Sequence, residues 1–207
     1  MDKAIALLSG GIDSPVAIYL MKERVEIITA HFHQQELTGP EEIEKVKQLL
    51  EKLEIKKAYL VPFTNVLKHI VERCQHKNYY ILQKILMMKA AEKIAEKEGA
   101  KYLITGENLG QVSSQTLSNL VSISKHVKLE IIRPLLTNDK EETIKKAKEI
   151  DTYNISKGPE ICSLLGPRYP ATKSEWGAIG KELENIDFTL VEEAIGAAEI
   201  VEKDIEL

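Results

Sequence analysis

Cysteine is scarce in this chain: two of 207 residues, Cys74 and Cys162. No CxxC pair occurs, so neither a zinc ribbon nor a thioredoxin-like redox motif is supported. Two free thiols suit a reducing compartment. Long apolar runs are missing too. None approaches the roughly 18–20 residues that a membrane-spanning helix needs, and no basic-then-apolar leader follows Met1. The default location is therefore the cytoplasm. An excess of positive charge is also lacking: 28 Lys and Arg face 32 Asp and Glu, a formal net charge of -4. That balance argues against a protein gripping nucleic acid over its whole surface, and leaves room for a local basic patch. There is no internal repeat and no low-complexity linker.

What is present is an ordinary composition, 43% hydrophobic and 29% charged, at a length that suits one compact α/β domain. Short apolar segments at Lys3–Leu8, Val25–Phe32, Ala58–Phe63, Tyr102–Thr105 and Leu129–Arg133 read as strands. Helical patterns alternate with them. Pro15 to Met21 starts with a proline in its first turn. Ile43, Val46, Leu49, Leu50 and Leu53 recur at steps of three and four. Residues Asn65–Lys97 read as two helices broken near Gln75–Asn78, and Asp139 caps a helix running to about Ile150. Such alternation predicts a mostly parallel, five-stranded sheet covered on both faces. Residues 1–180 form the expected catalytic domain and 181–207 a helical extension, with Phe188–Glu206 as a final amphipathic helix. Between them, Asp151–Ser174 carries Gly158, Pro159, Gly166, Pro167 and Pro170. It reads as an irregular loop, and loops of that length inside compact domains are often functional.

The turn after the first strand, Ser9-Gly10-Gly11-Ile12-Asp13-Ser14, has the makings of an anion site. Glycines let backbone N–H groups approach a phosphate closely, Ser9 and Ser14 add hydroxyls, and the following helix presents its positive end. The lysine of a Walker A loop is missing, and so is the dinucleotide GxGxxG pattern. A second polar stretch, ITGENLGQVSSQTLSNL at 104–120, follows the fourth strand. Ligands in open parallel sheets bind at the carboxyl ends of strands, which would put Thr105, Gly106 and Glu107 beside the first loop. His31 and His33 share one strand face, but no third ligand stands at a suitable spacing, so no metal site is assigned.

The string SGGIDS resembles the PP-loop of the N-type ATP pyrophosphatases. Taken with the 104–120 stretch, Phe32-His33, Arg133-Pro134-Leu135, Asp139-Lys140 and Thr152-Tyr153-Asn154-Ile155-Ser156, the chain resembles the tRNA 4-thiouridine synthetase (ThiI) family from about residue 3 to about 175. The resemblance implies the PP-loop fold of the adenine nucleotide alpha hydrolase-like (HUP) class. It also implies ATP and Mg²⁺ as cofactors, and an ATP-dependent sulfurtransferase that adenylates a uridine carbonyl in tRNA, with a link to thiamine thiazole synthesis. Carried over position by position, Ser9, Gly10, Gly11, Ile12, Asp13 and Ser14 would hold the ATP phosphates. His31, Phe32 and His33 would meet adenine largely through their backbone. Gly106, Glu107 and Gln115 would close the other side of the nucleotide, and Lys140 would approach the phosphates or the activated substrate.

Sulfur transfer needs a soft nucleophile, and a thiolate in a partly exposed, electropositive setting serves best. Cys162, in Pro159-Glu160-Ile161-Cys162 with Lys157, Arg168 and Lys173 near in sequence, matches the family's Pro-Glu-x-Cys context and is the expected sulfur carrier. Cys74 matches no motif and reads as a structural thiol, or as the partner that resolves a disulfide if the fold brings it to Cys162. Typical family members also carry a ferredoxin-like part, a THUMP domain and, in some, a rhodanese domain. The first strand starts at Lys3, so none of these is expected here. RNA docking would then use a separate partner, sulfur would come from a cysteine desulfurase or another persulfide donor, and a homodimer is the assembly considered. Two alternatives stay open: another N-type adenylating enzyme, such as an amide ligase, and a non-catalytic ATP- or AMP-binding subunit.

Overall fold

The protein is described from a computed structural model, which covers residues 1–158 and 164–203. Strands and helices alternate as the sequence pattern requires. β1 (Lys3–Leu7) leads to α1 (Asp13–Met21), β2 (Glu26–His33), a one-turn α2 (Gln35–Thr38), α3 (Glu41–Lys52) and β3 (Lys57–Pro62). Next come α4 (Thr64–Arg73), a 3₁₀ turn at His76–Asn78 that makes the expected break, and α5 (Tyr79–Glu98). β4 (Tyr102–Ile104), α6 (Leu117–Lys125), β5 (Glu130–Ile132) and α7 (Lys140–Glu149) complete the expected series. The remaining elements are a one-turn α8 (Tyr153–Ser156), α9 (Trp176–Leu183), α10 (Thr189–Gly196) and β6 (Glu199–Glu202).

The sheet order is β5-β4-β1-β2-β3-β6. Five strands are parallel, and β6 runs antiparallel along β3, with Tyr59 opposite Ile200. The middles of β1–β3 are buried because helices cover both faces, with Thr29 and His31 as buried polar residues of β2. Alternate residues divide between two cores. Ile5, Ile28, Phe32, Tyr59 and Leu103 pack with α4, α5 and α10, while Ala4, Ala6, Leu60 and Ile104 pack with α1, α3 and α7. α5 is buried nearly all round, through Ile81, Leu82, Ile85, Met88, Ala91 and Ile94, and ends on Gly99 in the left-handed conformation (φ 69°) that a helix C-terminus favours. Asp139 caps α7, its carboxylate accepting from the Glu141 N–H at 2.8 Å.

The C-terminal part corrects two expectations. The helix foreseen over Phe188–Glu206 stops at Gly196, and the sheet has six strands instead of five. The Glu199–Glu202 stretch pairs with β3, whose edge would otherwise present unpaired backbone groups to water. Two β-branched residues, Ile200 and Val201, suit it to that role, and Lys57 anchors it through Glu202 at 2.8 Å. In the expected irregular loop, α8 adds one helical turn.

Candidate active site

β1 is the pivot of the sheet. The chain leaves it for β2 and β3 on one side, then returns to lay β4 and β5 on the other. The carboxyl ends of β1 and β4 therefore face each other across a topological switch point, where open α/β sheets bind ligands. The Ser9–Ser14 turn stands on one side and Thr105–Glu107 on the other. They touch at Gly106. A β-carbon there would stand 2.6 Å from the Ser14 nitrogen and 2.7 Å from the Asp13 carbonyl carbon, so the close approach of the two walls requires glycine.

The first wall is shaped by its own serines. The Ser9 N–H donates to Ser14 Oγ at 2.9 Å, the Ser14 hydroxyl lies 3.2 Å from the Ser9 carbonyl oxygen and 3.1 Å from Ser9 Oγ, and the Gly11 N–H donates to Ser9 Oγ at 3.3 Å. Ser14 is buried and thus braces the turn from inside. α1 starts at Asp13, so its first N–H groups have no partner within the helix, and no side chain of the N-cap residue takes them. The Asp13 side chain, 23% exposed, takes Lys140 Nζ at 2.9 Å and Gln111 Nε2 at 3.0 Å. Lys140, a first-turn residue of α7, is thereby brought to the loop from 127 positions away.

The second wall is fixed by a buried ion pair. Glu107, 1% exposed, accepts from Arg133 Nε at 2.9 Å and from the Thr105 hydroxyl at 3.1 Å, with Lys84 Nζ 3.9 Å away. Gln115 and Asn108 tie the turn down. The Asn108 N–H donates to Gln115 Oε1 at 3.3 Å, the Gly110 N–H to the Gln115 carbonyl at 2.8 Å, and Asn108 Nδ2 to the Asn138 carbonyl at 2.6 Å.

The end of β2 flanks the first wall. His31 is buried, and its Nδ1 lies 2.9 Å from the carbonyl oxygen of Leu8, the residue just before the glycine turn. Its Nε2 lies 3.7 Å from Glu42 of α3. Burial pushes its pKa down to about 4 despite the Leu8 hydrogen bond, so the imidazole is neutral at pH 7 and donates from Nδ1. Phe32 is buried edge-on to Phe63, with ring centroids 4.9 Å apart. His33 is half-buried, and its pKa is lowered chiefly by desolvation and then by His31. Their rings stand 6.2 Å apart.

Three further side chains line the crevice: Gln111, which the sequence offers only within the polar stretch at 104–120, and two lysines that it does not single out. Gln111 reaches Asp13, Lys84 reaches Glu107, and Lys45 of α3 lies over Gly10, where a β-carbon would meet its Cδ at 3.0 Å. Lysines on helices are so common that only the fold singles these out. Cys162 lies outside the described residues. Its neighbours on either side are placed: Gly158 lies near the Lys45 ammonium, and the Leu165 carbonyl is 2.8 Å from His76 Nε2. Cys74 is half-buried against the Glu182 carbonyl, and burial, then Glu182, pushes its thiol up to about 11. As for Mg²⁺, Glu107 is committed to Arg133, which leaves Asp13, paired with Lys140, as the partly exposed carboxylate of the crevice among the described residues. One carboxylate is enough for a magnesium ion held mainly by nucleotide phosphates and water.

A family model described as thiamine biosynthesis protein (ThiI) matches residues 1–188. The chain belongs to the ThiI family. Its curated relatives include probable tRNA sulfurtransferases of Finegoldia magna, 40% identical over 96% of this chain and 53% of that protein, and of Thermus thermophilus, 42% identical over 83% and 44%. The chain thus spans about half the length of the curated relatives it matches. Among solved structures, a 4-thiouridine synthetase in complex with RNA and bound ATP superposes with a TM-score of 0.93 and 37% identity, covering 98% of this chain and 55% of that one. An NH3-dependent NAD synthetase from Campylobacter jejuni, 13% identical with a TM-score of 0.56 over 94% of this chain and 84% of that one, shares the fold. The PP-loop fold and the family that the motifs suggested are those of this ThiI-family chain.

Proposed function

We propose that this chain is the ATP-using unit of a tRNA sulfurtransferase, which adenylates a uridine and replaces its O4 with sulfur. The observation that carries the reading is the match of 98% of the chain to a 4-thiouridine synthetase crystallised with RNA and ATP, together with a glycine turn, helix N-terminus and facing β4 turn at the switch point of the sheet. In this reading the backbone of Ser9, Gly10, Gly11, Ile12 and Asp13 holds the phosphates, and Ser14 keeps the turn in shape. The backbone around His31, Phe32 and His33 meets adenine. Gly106 lets the walls approach, while Glu107 and Gln115 fix the opposite side. Mg²⁺, when bound, would be held by Asp13 and would supply positive charge against the triphosphate. Lys140, paired with Asp13 in the resting site, can turn to the phosphates when the nucleotide arrives.

The chemistry runs in two steps. The uridine O4 attacks the α-phosphorus and pyrophosphate leaves, with charge on the leaving group stabilised by loop N–H groups and Lys140. Sulfur then attacks C4 and AMP departs. Cys162 is the proposed carrier, as a persulfide loaded by a cysteine desulfurase or a similar donor. When its outer sulfur has bonded to C4 and AMP has left, a thiol from outside this chain, of a partner protein or a small-molecule thiol, attacks the Cys162 sulfur, releases the thiolated uridine and leaves a mixed disulfide, which a further thiol reductant reopens. Cys74, with its raised pKa, is poorly suited to that role. RNA docking by a separate module, and pairing of two copies, complete the proposal.

The test is incubation of the chain with ATP, Mg²⁺, sulfide and unmodified tRNA, reading both 4-thiouridine and AMP. Formation of both supports the reading. AMP formation with a different acceptor, and none with tRNA, would replace it with another adenylating activity. A Cys162→Ser variant should lose thiolation from a persulfide donor while still binding ATP.

A further inference from the structure

α3 carries Glu42 and Lys45 one turn apart, both facing the end of the sheet where the glycine turn stands. Glu42 faces His31 and accepts from the Thr38 hydroxyl at 3.0 Å. Lys45 differs from the lysines around it. Lys47, Lys52 and Lys57 each hold a carboxylate at 3.0 Å or less. Lys45, half-buried, has no ion pair and no hydrogen bond among the described residues, although Glu41, Glu42 and Glu44 stand within one turn of it. Its stem explains why. The aliphatic chain lies on the α-carbon of Gly10, with Cδ 3.0 Å and Cγ 3.9 Å from where a β-carbon would be, and it carries the ammonium to within 3.6 Å of the same point on Gly158. Packing holds the charge at the mouth of the turn and away from its acidic neighbours.

The charge balance of the turn makes the placement meaningful. Lys140 and Asp13 neutralise each other. Among the described residues Lys45 is left as an uncompensated cation beside backbone N–H groups already suited to an anion. A half-buried ammonium without a partner among the described residues is free to take a counter-charge, and a triphosphate is the anion that the neighbouring backbone suits.

We propose that Lys45 is a phosphate-binding residue of this site, contacting the pyrophosphate end of the nucleotide from the side opposite Lys140. This rests on the reading of the glycine turn as an ATP site. It also gives a second reason for glycine at position 10: any side chain there would push the lysine stem aside.

The experiment is calorimetric titration of the intact chain with Mg²⁺-ATP, AMP and Mg²⁺-pyrophosphate, using the unaltered protein, Lys45→Met and Lys45→Arg. Met keeps the apolar stem, so the turn retains its packing, and thermal unfolding without nucleotide checks this. Lys45→Met should bind ATP and pyrophosphate about tenfold or more weakly, the loss expected for one charge-assisted contact. AMP binding should change less than about twofold, and Lys45→Arg should recover most of the loss. Equal weakening of AMP and ATP, or unchanged ATP affinity in Lys45→Met, overturns the assignment while leaving the ATP site standing. Failure of the unaltered chain to bind any of the three overturns both. If Lys45→Met does not fold, Lys45→Gln takes its place under the same outcomes.

Discussion

The two walls of the crevice each place a carboxylate at its rim, and the two carboxylates live in different worlds. Asp13 is partly exposed and holds Lys140, a surface lysine, and Gln111. Glu107 is sealed: its Oε2 accepts from Arg133, itself 12% exposed, and from Thr105, while its Oε1 has no hydrogen bond among the described residues and only the Lys84 ammonium 3.9 Å away. Exposed pairs are worth about 0–1 kcal/mol and rearrange readily. A buried pair is costly to break because one charge is left uncompensated. The Asp13–Lys140 pair of the first wall is thus the easier of the two to rearrange, and the Glu107–Arg133 pair of the second the harder.

Glu107→Ala gives the largest expected effect. It strands the Arg133 guanidinium and should lower stability by about 3–5 kcal/mol, measured by urea unfolding. A loss below about 1 kcal/mol would mean that the second wall is no more rigid than the first.

His31 extends the contrast to acid. Above pH 6.5 the imidazole is neutral in both folded and unfolded chains, so it costs nothing. Between 6.5 and about 4 the unfolded chain takes up a proton that the buried site resists. Stability should therefore fall by up to about 1.4 kcal/mol per pH unit across that window, about 3 kcal/mol in all, and level off below it. Unfolding curves at stepped pH for the unaltered chain and His31→Gln isolate this part. Identical slopes in the two proteins would remove His31 from the fixed frame behind the first wall.

Asp13→Asn separates function from folding on the mobile side. Its stability should move by less than about 1 kcal/mol, while ATP-dependent thiolation drops by roughly 100-fold, read from AMP release. A variant as active as the parent would make Asp13 a surface partner of Lys140 and nothing more.

The smallest effect belongs to Cys74, far from either wall in role. With its thiol held near pKa 11, iodoacetamide at pH 7.5 should label it much more slowly in the native chain than in urea. Cys74→Ser should leave thiolation within about twofold of the parent, and abolition by that variant would make it a participant.

The sheet was readable from short, largely apolar runs between glycine and polar turns because both faces are covered and the middles of β1, β2 and β3 are buried, although β2 buries Thr29 and His31 among its apolar residues. β6 was hidden: four residues with two glutamates look helical until the open edge of β3 is known. The site divided the same way. The glycine-rich Ser9–Ser14 turn and Gly106 were legible as residue types, and the structure brings them together because the close approach of Gly106 to the Ser14 backbone leaves no room for a β-carbon. Lys140 could be placed through its motif. Lys45, Lys84 and Gln111 could not be placed from spacing, since their importance comes from tertiary neighbours that no local pattern encodes.

A crystal structure of the chain with Mg²⁺ and a non-hydrolysable ATP analogue tests the arrangement most directly. The β- and γ-phosphates should lie within hydrogen-bonding distance of the Gly10–Asp13 backbone, with adenine against the end of β2 and the Glu107–Arg133 pair unmoved. Phosphates seated elsewhere, with that turn still closed on itself and Asp13 still paired to Lys140, would contradict it.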